Sequence, residues 1–351
     1  MKLKLSRFLM HRRKKKNLFF LFVFISLISV EYLTYYLQTL SWPDTECTEV
    51  TTDEECMKLI FVADPQLIGE ELETGFKSIF SFWDSDRYVK RTFSYAMVNV
   101  QPQAVVFLGD LLDEGSIASE EAHKRYVDRF KWVFPEQKNV PYIYLPGDND
   151  IGGEGDPMTR LKIQKFEKHF GQPDIIRVKG ITFYKINRMR YQFPKLTHAL
   201  PENETRIIVS HLPLLTHPSP FIDHIVEKFE PNLIFSGHEH VAAHLSIVQG
   251  QRLGRTEALV DPVELELDQF QVINEIMVPT CSYRMGTVDM GYAAVSINTK
   301  TQRATVVILA LPDRFRQLYF YLGMLIVLIL YYLAIATFVF FRKYFKRCIY
   351  L

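Results

Sequence analysis

Residues 104–115 read AVVFLGDLLDEG, and this stretch decides the fold. A run of apolar residues passes straight into Gly109-Asp110, the composition of a strand buried on both faces and closed by a turn. Upstream, KLIFVAD (58–64) ends the same way at Asp64, followed by Pro65 and Gln66. Downstream, PYIYLPGD (141–148) runs into Asp148-Asn149-Asp150. Stretches with helical spacing separate them. RYVKRTFSYAMVNV (87–100) is one, and SEEAHKRYVDRFKWVF (119–134) is another, with Ser119 as its cap and acids in its first turn. TRLKIQKFEKHF (159–170) is a third, stopped by Gly171. Alternation of this kind predicts parallel strands joined by right-handed crossovers.

The second half changes character. ITFYKIN, RIIVSH, LIFSGH, AHLSIVQ, INEIMVP, YAAVSIN and ATVVIL are short strands, and only SPFIDHIVEKF (219–229) has helical spacing among them. The predicted architecture is two packed sheets with helices on the outer faces. Residues 250–270, polar and rich in acids, are read as a loop.

The strand ends carry the chemistry. Asp64, Asp110, Asp148, His211, His238 and His240 all follow apolar runs, and in an open α/β sheet such ends converge on one crevice. Taken singly, an Asp after a strand is most simply a turn former and a lone His a structural residue. Taken together, so many carboxylates and imidazoles would repel and raise one another's pKa unless cations lay between them. Two divalent metals remove that cost and clamp both oxygens of a displacement at phosphorus. The mixed oxygen and nitrogen donors suit Mn, Fe or Zn better than Ca.

The flanks carry a different signal. Net charge is +1, which gives no reason to expect a nucleic-acid partner. Residues 1–16 are rich in Lys and Arg, and apolar runs follow at 18–40 and 317–341, each long enough to cross a bilayer. The resulting division is a cytosolic basic tail (1–17), a span (18–40), a lumenal domain (41–316), a span (317–341) and a cytosolic tail (342–351). A cleaved signal peptide is the rival for the first span, but its apolar stretch exceeds a signal core of about 7–15 residues. Basic residues before the first span and after the second, with an acidic stretch at 41–56, place both termini in the cytosol. Glu31 interrupts the first span and is expected to be protonated, near the interface, or facing the second span. Asn203-Glu204-Thr205 is a glycosylation sequon, and Cys47 and Cys56 are either an oxidised pair or two free thiols. Cys348 is a juxtamembrane cytosolic thiol, open to acylation.

The ordered motifs resemble those of the calcineurin-like metallophosphoesterase superfamily over roughly Leu59 to Tyr283. The resemblance implies a four-layer αββα sandwich with a dinuclear centre. Carried over by position, one metal would take Asp64, Gln66, Asp110 and His240. The other would take Asp110, Asp148, His211 and His238, with Asp110 bridging. The two spans, ADPQLIGE and GDLLDEG narrow the likeness to the metallophosphoesterase 1, or cell division control protein 1, type. That resemblance implies removal of ethanolamine phosphate from mannoses of glycosylphosphatidylinositol (GPI) anchors, in the endoplasmic reticulum or early Golgi, with Mn²⁺ favoured.

Three positions depart from the superfamily pattern. Gln66 replaces a His, which favours Mn over Zn at that metal. Asp148 replaces an Asn and adds negative charge. Asn149 replaces the His that protonates the leaving group, a role typically worth about 10²–10⁴-fold. His217 is the nearest replacement by sequence, and a surface-loop histidine is the simpler reading of it. An active hydrolase of reduced turnover is therefore expected. The competing readings are a GPI- or cargo-binding pseudoenzyme and a hydrolase of another phosphoester.

Overall fold

The computed structural model describes residues 16–47, 55–197, 199–200, 204–251, 254–269 and 271–349. Helix α1 (Lys16–Thr39) contains a π-helical stretch, Ser29–Leu33. Then come β1 (Cys56–Val62), α2 (Phe76–Val100), β2 (Ala104–Phe107), α3 (Glu120–Val133), β3 (Tyr142–Tyr144), α4 (Asp148–Ile151) and α5 (Arg160–Phe170). Strands β4 (Ile175–Val178), β5 (Ile181–Ile186) and β6 (Thr205–Ser210) precede α6 (Pro220–Phe229). The last strands are β7 (Leu233–Ser236), β8 (Ala243–Val248), β9 (Arg255–Ala258), β10 (Val263–Glu266), β11 (Val272–Met277), β12 (Gly291–Asn298) and β13 (Arg303–Ala310), before α7 (Arg314–Ile349).

Residues 38–311 form one compact unit built on two sheets. The first has the order β10-β13-β12-β1-β2-β3 and the second β4-β5-β6-β7-β11-β8-β9. Strands β1, β2 and β3 run parallel, as do β5, β6, β7 and β11. The core lies between the sheets, where Leu59, Phe61, Val106 and Ile143 of the first meet Val209, Phe235 and Ile276 of the second. Phe61 and Phe235 stack with ring centroids 3.8 Å apart. Outside the first sheet, Phe107 packs against Phe130 and Phe134 of the α3 end and Phe93 of α2. Outside the second, Ile208 and Ile234 pack against Ile222, Ile225 and Phe229 of α6. Strands with apolar residues on both faces are what this four-layer αββα arrangement requires.

The helix starts are fixed by side chains. Ser119, Thr159 and Ser219 accept from the backbone N–H groups of Ala122, Lys162 and Ile222. Each satisfies a donor that a helix leaves unpaired at its first turn.

Two expectations need correction. Residues 250–270 are not simply a loop: β9 pairs with β8 at the edge of one sheet, and β10 pairs with β13 at the edge of the other. Every residue of β9 is exposed, and β10 buries only Leu265, so neither has the apolar pattern of a core strand. Helix α2 starts at Phe76, eleven residues before the stretch with readable helical spacing. Its first turns leave their large apolar residues exposed, so no buried stripe marks them.

The terminal helices form a second unit. Lys16–Thr39 and Arg314–Arg342 are each long and apolar enough to cross a membrane. Within this unit Phe19 stacks on Tyr331 and Glu31 lies 3.3 Å from Arg314, so the helices run antiparallel. Glu31 also accepts from Tyr321. It therefore faces the second helix, and it lies inside the π-helical stretch of the first. Residues 1–15 of the basic tail and Asn203 lie outside the described residues, as does the side chain of Cys348. Cys47 and Cys56 form a disulfide.

Candidate metal centre

Parallel strands place the candidate ligands at one edge. Asp64 follows β1, Asp110 follows β2 and Asp148 opens α4 just after β3. His211 follows β6, and His238 and His240 follow β7, in the facing sheet. Ligand atoms of Asp64, Asp110 and His211 lie within 4.8 Å of one another, and so do those of Asp148, His211 and His238. His211 Nε2 is 3.0 Å from Asp148 Oδ1 and 3.5 Å from Asp110 Oδ1. His240 Nε2 is 3.9 Å from Asp64 Oδ1 and 3.5 Å from Gln66 Nε2. All seven candidate ligands thus meet in one place.

Asn149 joins them. Its backbone N–H donates to Asp110 Oδ1 at 2.9 Å and its side-chain amide donates to Asp110 Oδ2 at 2.6 Å. His217 does not join them. It is exposed, with Nδ1 3.0 Å from Thr216 Oγ1, and it shares with His238, Glu154 and Arg188 the wall of an open groove of about 510 Å³.

The backbone is bent to make this cluster. Asp64, Gln66, Asp110, His238 and His240 all have positive φ, between 38° and 71°. A non-glycine residue rarely adopts that region, and clusters of such residues mark functional sites. Two glycines are fixed by space. A Cβ on Gly147 would lie 2.0 Å from Asp110 Oδ1, and one on Gly109 would lie 2.6 Å from His211 Nδ1.

Buried carboxylates that sequence reading did not assign to the site hold its loops. Asp150 accepts from the N–H groups of Leu111, Leu112 and Gly147. Glu275 accepts from Leu214 and Leu215, just after His211. Glu114 accepts from Glu71 and Leu72, on the loop after Gln66. Glu275 had a readable signal, an acid in the middle of the apolar strand INEIMVP. Asp150 and Glu114 had none beyond their nearness to the motifs.

The electrostatics call for positive charge. Burial pulls His211 down, but Asp110, Asp148 and Asp64 outweigh it and push the imidazole up to about 10. Burial raises Asp64 to about 7, with Asp110 adding to it and His211 opposing it. Asp64 Oδ1 is fully buried without a hydrogen-bond partner among the described residues, a costly state for a carboxylate unless a cation meets it. His211 Nδ1 lies 2.9 Å from the carbonyl of Leu108, an orientation that directs Nε2 into the cluster. The donor set therefore fits a pair of divalent cations, with His211 common to the two groups and 3.5 Å from Asp110 Oδ1. Gln66 Nε2 donates to Asp110 Oδ2 at 2.8 Å. Turning that amide over presents Oε1 to a cation without changing its shape.

Residues 57–242, more than half of the chain, match the family of calcineurin-like phosphoesterases, and the chain belongs to that family. Metallophosphoesterase 1 of Pongo abelii is 33% identical over 187 residues, covering 50% of this chain and 46% of that protein. Metallophosphoesterase 1 of Danio rerio is 28% identical over 198 residues, covering 51% and 50%. The chain spans about half the length of the curated relatives it matches. Among solved structures, a purple acid phosphatase from yellow lupin (Lupinus luteus) seeds aligns with a TM-score of 0.43 at 9% identity, over 71% of this chain and 53% of that one. Family and donor set together define a metallophosphoesterase with a candidate dinuclear metal site.

Proposed function

We propose that the chain is a membrane-anchored, lumen-facing phosphodiesterase that removes ethanolamine phosphate from a mannose of GPI anchors between the endoplasmic reticulum and the cis-Golgi. The observation that carries the chemistry is the meeting of Asp64, Asp110, Asp148, His211, His238 and His240 at one sheet edge. Likeness to the metallophosphoesterase 1 group supports the GPI glycan as substrate.

Asp64, Gln66, Asp110 and His240 would hold one ion, and Asp110, Asp148, His211 and His238 the other. Manganese suits the amide and carboxylate donors. Bound metals supply the charge that activates water and steadies the phosphate oxygens. Asp150 keeps Asp110 and Gly147 in register, and the Leu108 carbonyl keeps the His211 ring turned inward. Asn149 spends one N–H on Asp110. Its other N–H serves a phosphate oxygen as a hydrogen-bond donor, but an amide cannot release a proton to a leaving alkoxide.

Two helices of membrane-crossing length and a disulfide, as an oxidising lumen permits, support anchoring with residues 41–316 lumenal. Such anchoring holds the site near a lipid-borne substrate and raises its effective concentration. The amide of Asn149 in the place of an imidazole favours one second reading, a catalytically impaired binder of the same glycan.

The test uses the purified full-length chain with Mn²⁺ and GPI glycans analysed by mass spectrometry. Release of ethanolamine phosphate by the wild type, abolished in Asp110→Ala, is the expected result. Equal inertness of both proteins toward GPI and toward aryl phosphodiesters, with metal present, would overturn the enzyme reading.

A further inference from the structure

The first turns of α2 expose an unusual side. Phe76, Ile79, Phe80 and Trp83 are 76%, 61%, 59% and 59% exposed, and Leu72, just before the helix, is 72% exposed. The spacing 76, 79, 80, 83 puts the four helical residues on one stripe. Exposed large apolar residues scattered singly need no explanation, but a contiguous stripe marks a contact surface. The second half of the same helix behaves normally, burying Tyr88, Val89, Phe93, Ala96 and Met97.

The stripe lies at the catalytic edge. Strand β1 ends at that edge with Asp64, and the loop through Gln66 leads to the start of α2, which returns to the opposite edge so that β2 can run parallel to β1. Strand β12 is antiparallel to β1, and β13 is antiparallel to β12, so β13 also ends there, at Ala310. Trp42 Nε1 donates to the Ala310 carbonyl at 2.7 Å. The metal cluster, the exposed stripe and the Trp42–Ala310 contact therefore share one edge of the sandwich.

We propose that Leu72, Phe76, Ile79, Phe80 and Trp83 dip into the interfacial layer of the lipid bilayer that carries the substrate, holding the metal-bearing edge against it. The inference rests on the membrane reading above. The side-chain order along α2 supports a lipid occupant. Aromatic and aliphatic groups come first and Trp83 last among them, with the Arg87 guanidinium 4.9 Å over its ring. Lys90 follows on the same side of the helix, 3.6 Å over the exposed ring of Trp132. From Phe76 to Trp83 the helix rises about 10 Å. If the helix enters end-on, Phe76 lies deepest and Trp83 about 10 Å shallower. The cations then fall at the level of lipid phosphates, and tryptophan favours the boundary between. Of the charged residues in this stretch, Glu70 is paired with Arg125 and Glu73 with Arg284, while Glu71 and Lys77 are exposed, Lys77 lying off the apolar stripe.

The test reads Trp83 in the full-length chain reconstituted into phosphatidylcholine nanodiscs. The chain has three tryptophans, so the emission of Trp83 is obtained as wild type minus Trp83→Phe. Brominated acyl chains should quench this difference signal at least twofold, and aqueous iodide should leave it nearly unchanged. Quenching by iodide without quenching by bromolipid would overturn the proposal. Shielding from both would also overturn it and assign the stripe to a protein partner, such as a second copy. Retention of the chain in the bilayer after alkaline carbonate is read on the same samples. Loss at that step defeats the membrane reading itself, whereas retention with an iodide-quenched Trp83 defeats only the stripe. As a second arm, paired Phe76→Ser and Phe80→Ser changes should lower hydrolysis of lipid-borne substrate about tenfold and leave a soluble aryl phosphodiester unaffected. An equal fall on both substrates would contradict the role.

Discussion

Asn149, one of three departures from the superfamily pattern, donates its side-chain amide to Asp110 Oδ2 at 2.6 Å, and so rests on the carboxylate that would bridge two ions. An imidazole at this position has a proton to give, and the amide has none at neutral pH. Asn149→His is therefore expected to raise kcat on an alkyl phosphodiester by about tenfold or more. It should change little for a nitrophenyl ester, whose leaving group needs no proton. Equal effects on the two substrates would separate position 149 from leaving-group protonation.

Gly147 is fixed by space and not by dihedral angle, since its φ is −102°. Gly147→Ala puts a methyl 2.0 Å from Asp110 Oδ1. Overpacking of this kind typically costs about 1–3 kcal/mol. The expected outcome is a lower Tm and weaker retention of metal on dialysis. An unchanged metal content would contradict the tight approach of the two loops.

Asp150 grips three backbone N–H groups on two ligand-bearing loops. Asp150→Ala strands those donors in the interior, a loss on the order of 3 kcal/mol or more. Urea unfolding should show a lower midpoint, and any residual activity should need more metal. A small loss of stability with normal metal affinity would reduce Asp150 to a packing residue.

His123 in α3 is buried, and neither ring nitrogen has a hydrogen-bond partner among the described residues. Burial, with nearby Lys165 adding to it, pulls the imidazole down to about 4 from an ordinary 6.5. Between those values the unfolded chain binds a proton that the folded chain refuses. This contribution to stability is therefore complete above about pH 6.5 and shrinks as pH falls toward 4. Thermal melts between pH 4 and 7 should show the decline, and His123→Phe should flatten it. A variant with the same slope would place the titration elsewhere.

Much of the site was legible because its residues follow apolar runs in a fixed order: Asp64, Asp110, Asp148, His211, then His238 and His240. The two-sheet architecture was legible for the same reason, since strands buried on both faces read as continuous apolar stretches. Other features leave little trace in a linear pattern. The positive φ values of the ligands arise from contact between loops. The grip of Glu275 on Leu214 and Leu215 joins segments 60 residues apart. Strands β9 and β10 escaped because they lie at sheet edges and bury little. The start of α2 escaped because its apolar side faces outward.

The central claim is that this cluster holds two divalent ions, and metal analysis of the full-length chain tests it directly. After purification with Mn²⁺ and exhaustive desalting, about two equivalents per chain are predicted for the wild type, in line with a dinuclear phosphoesterase site. Asp110→Ala, which removes the carboxylate that would bridge the two ions, should bring the content to one equivalent or less. Negligible metal in a folded wild-type protein, or the same content in both proteins, would contradict the account.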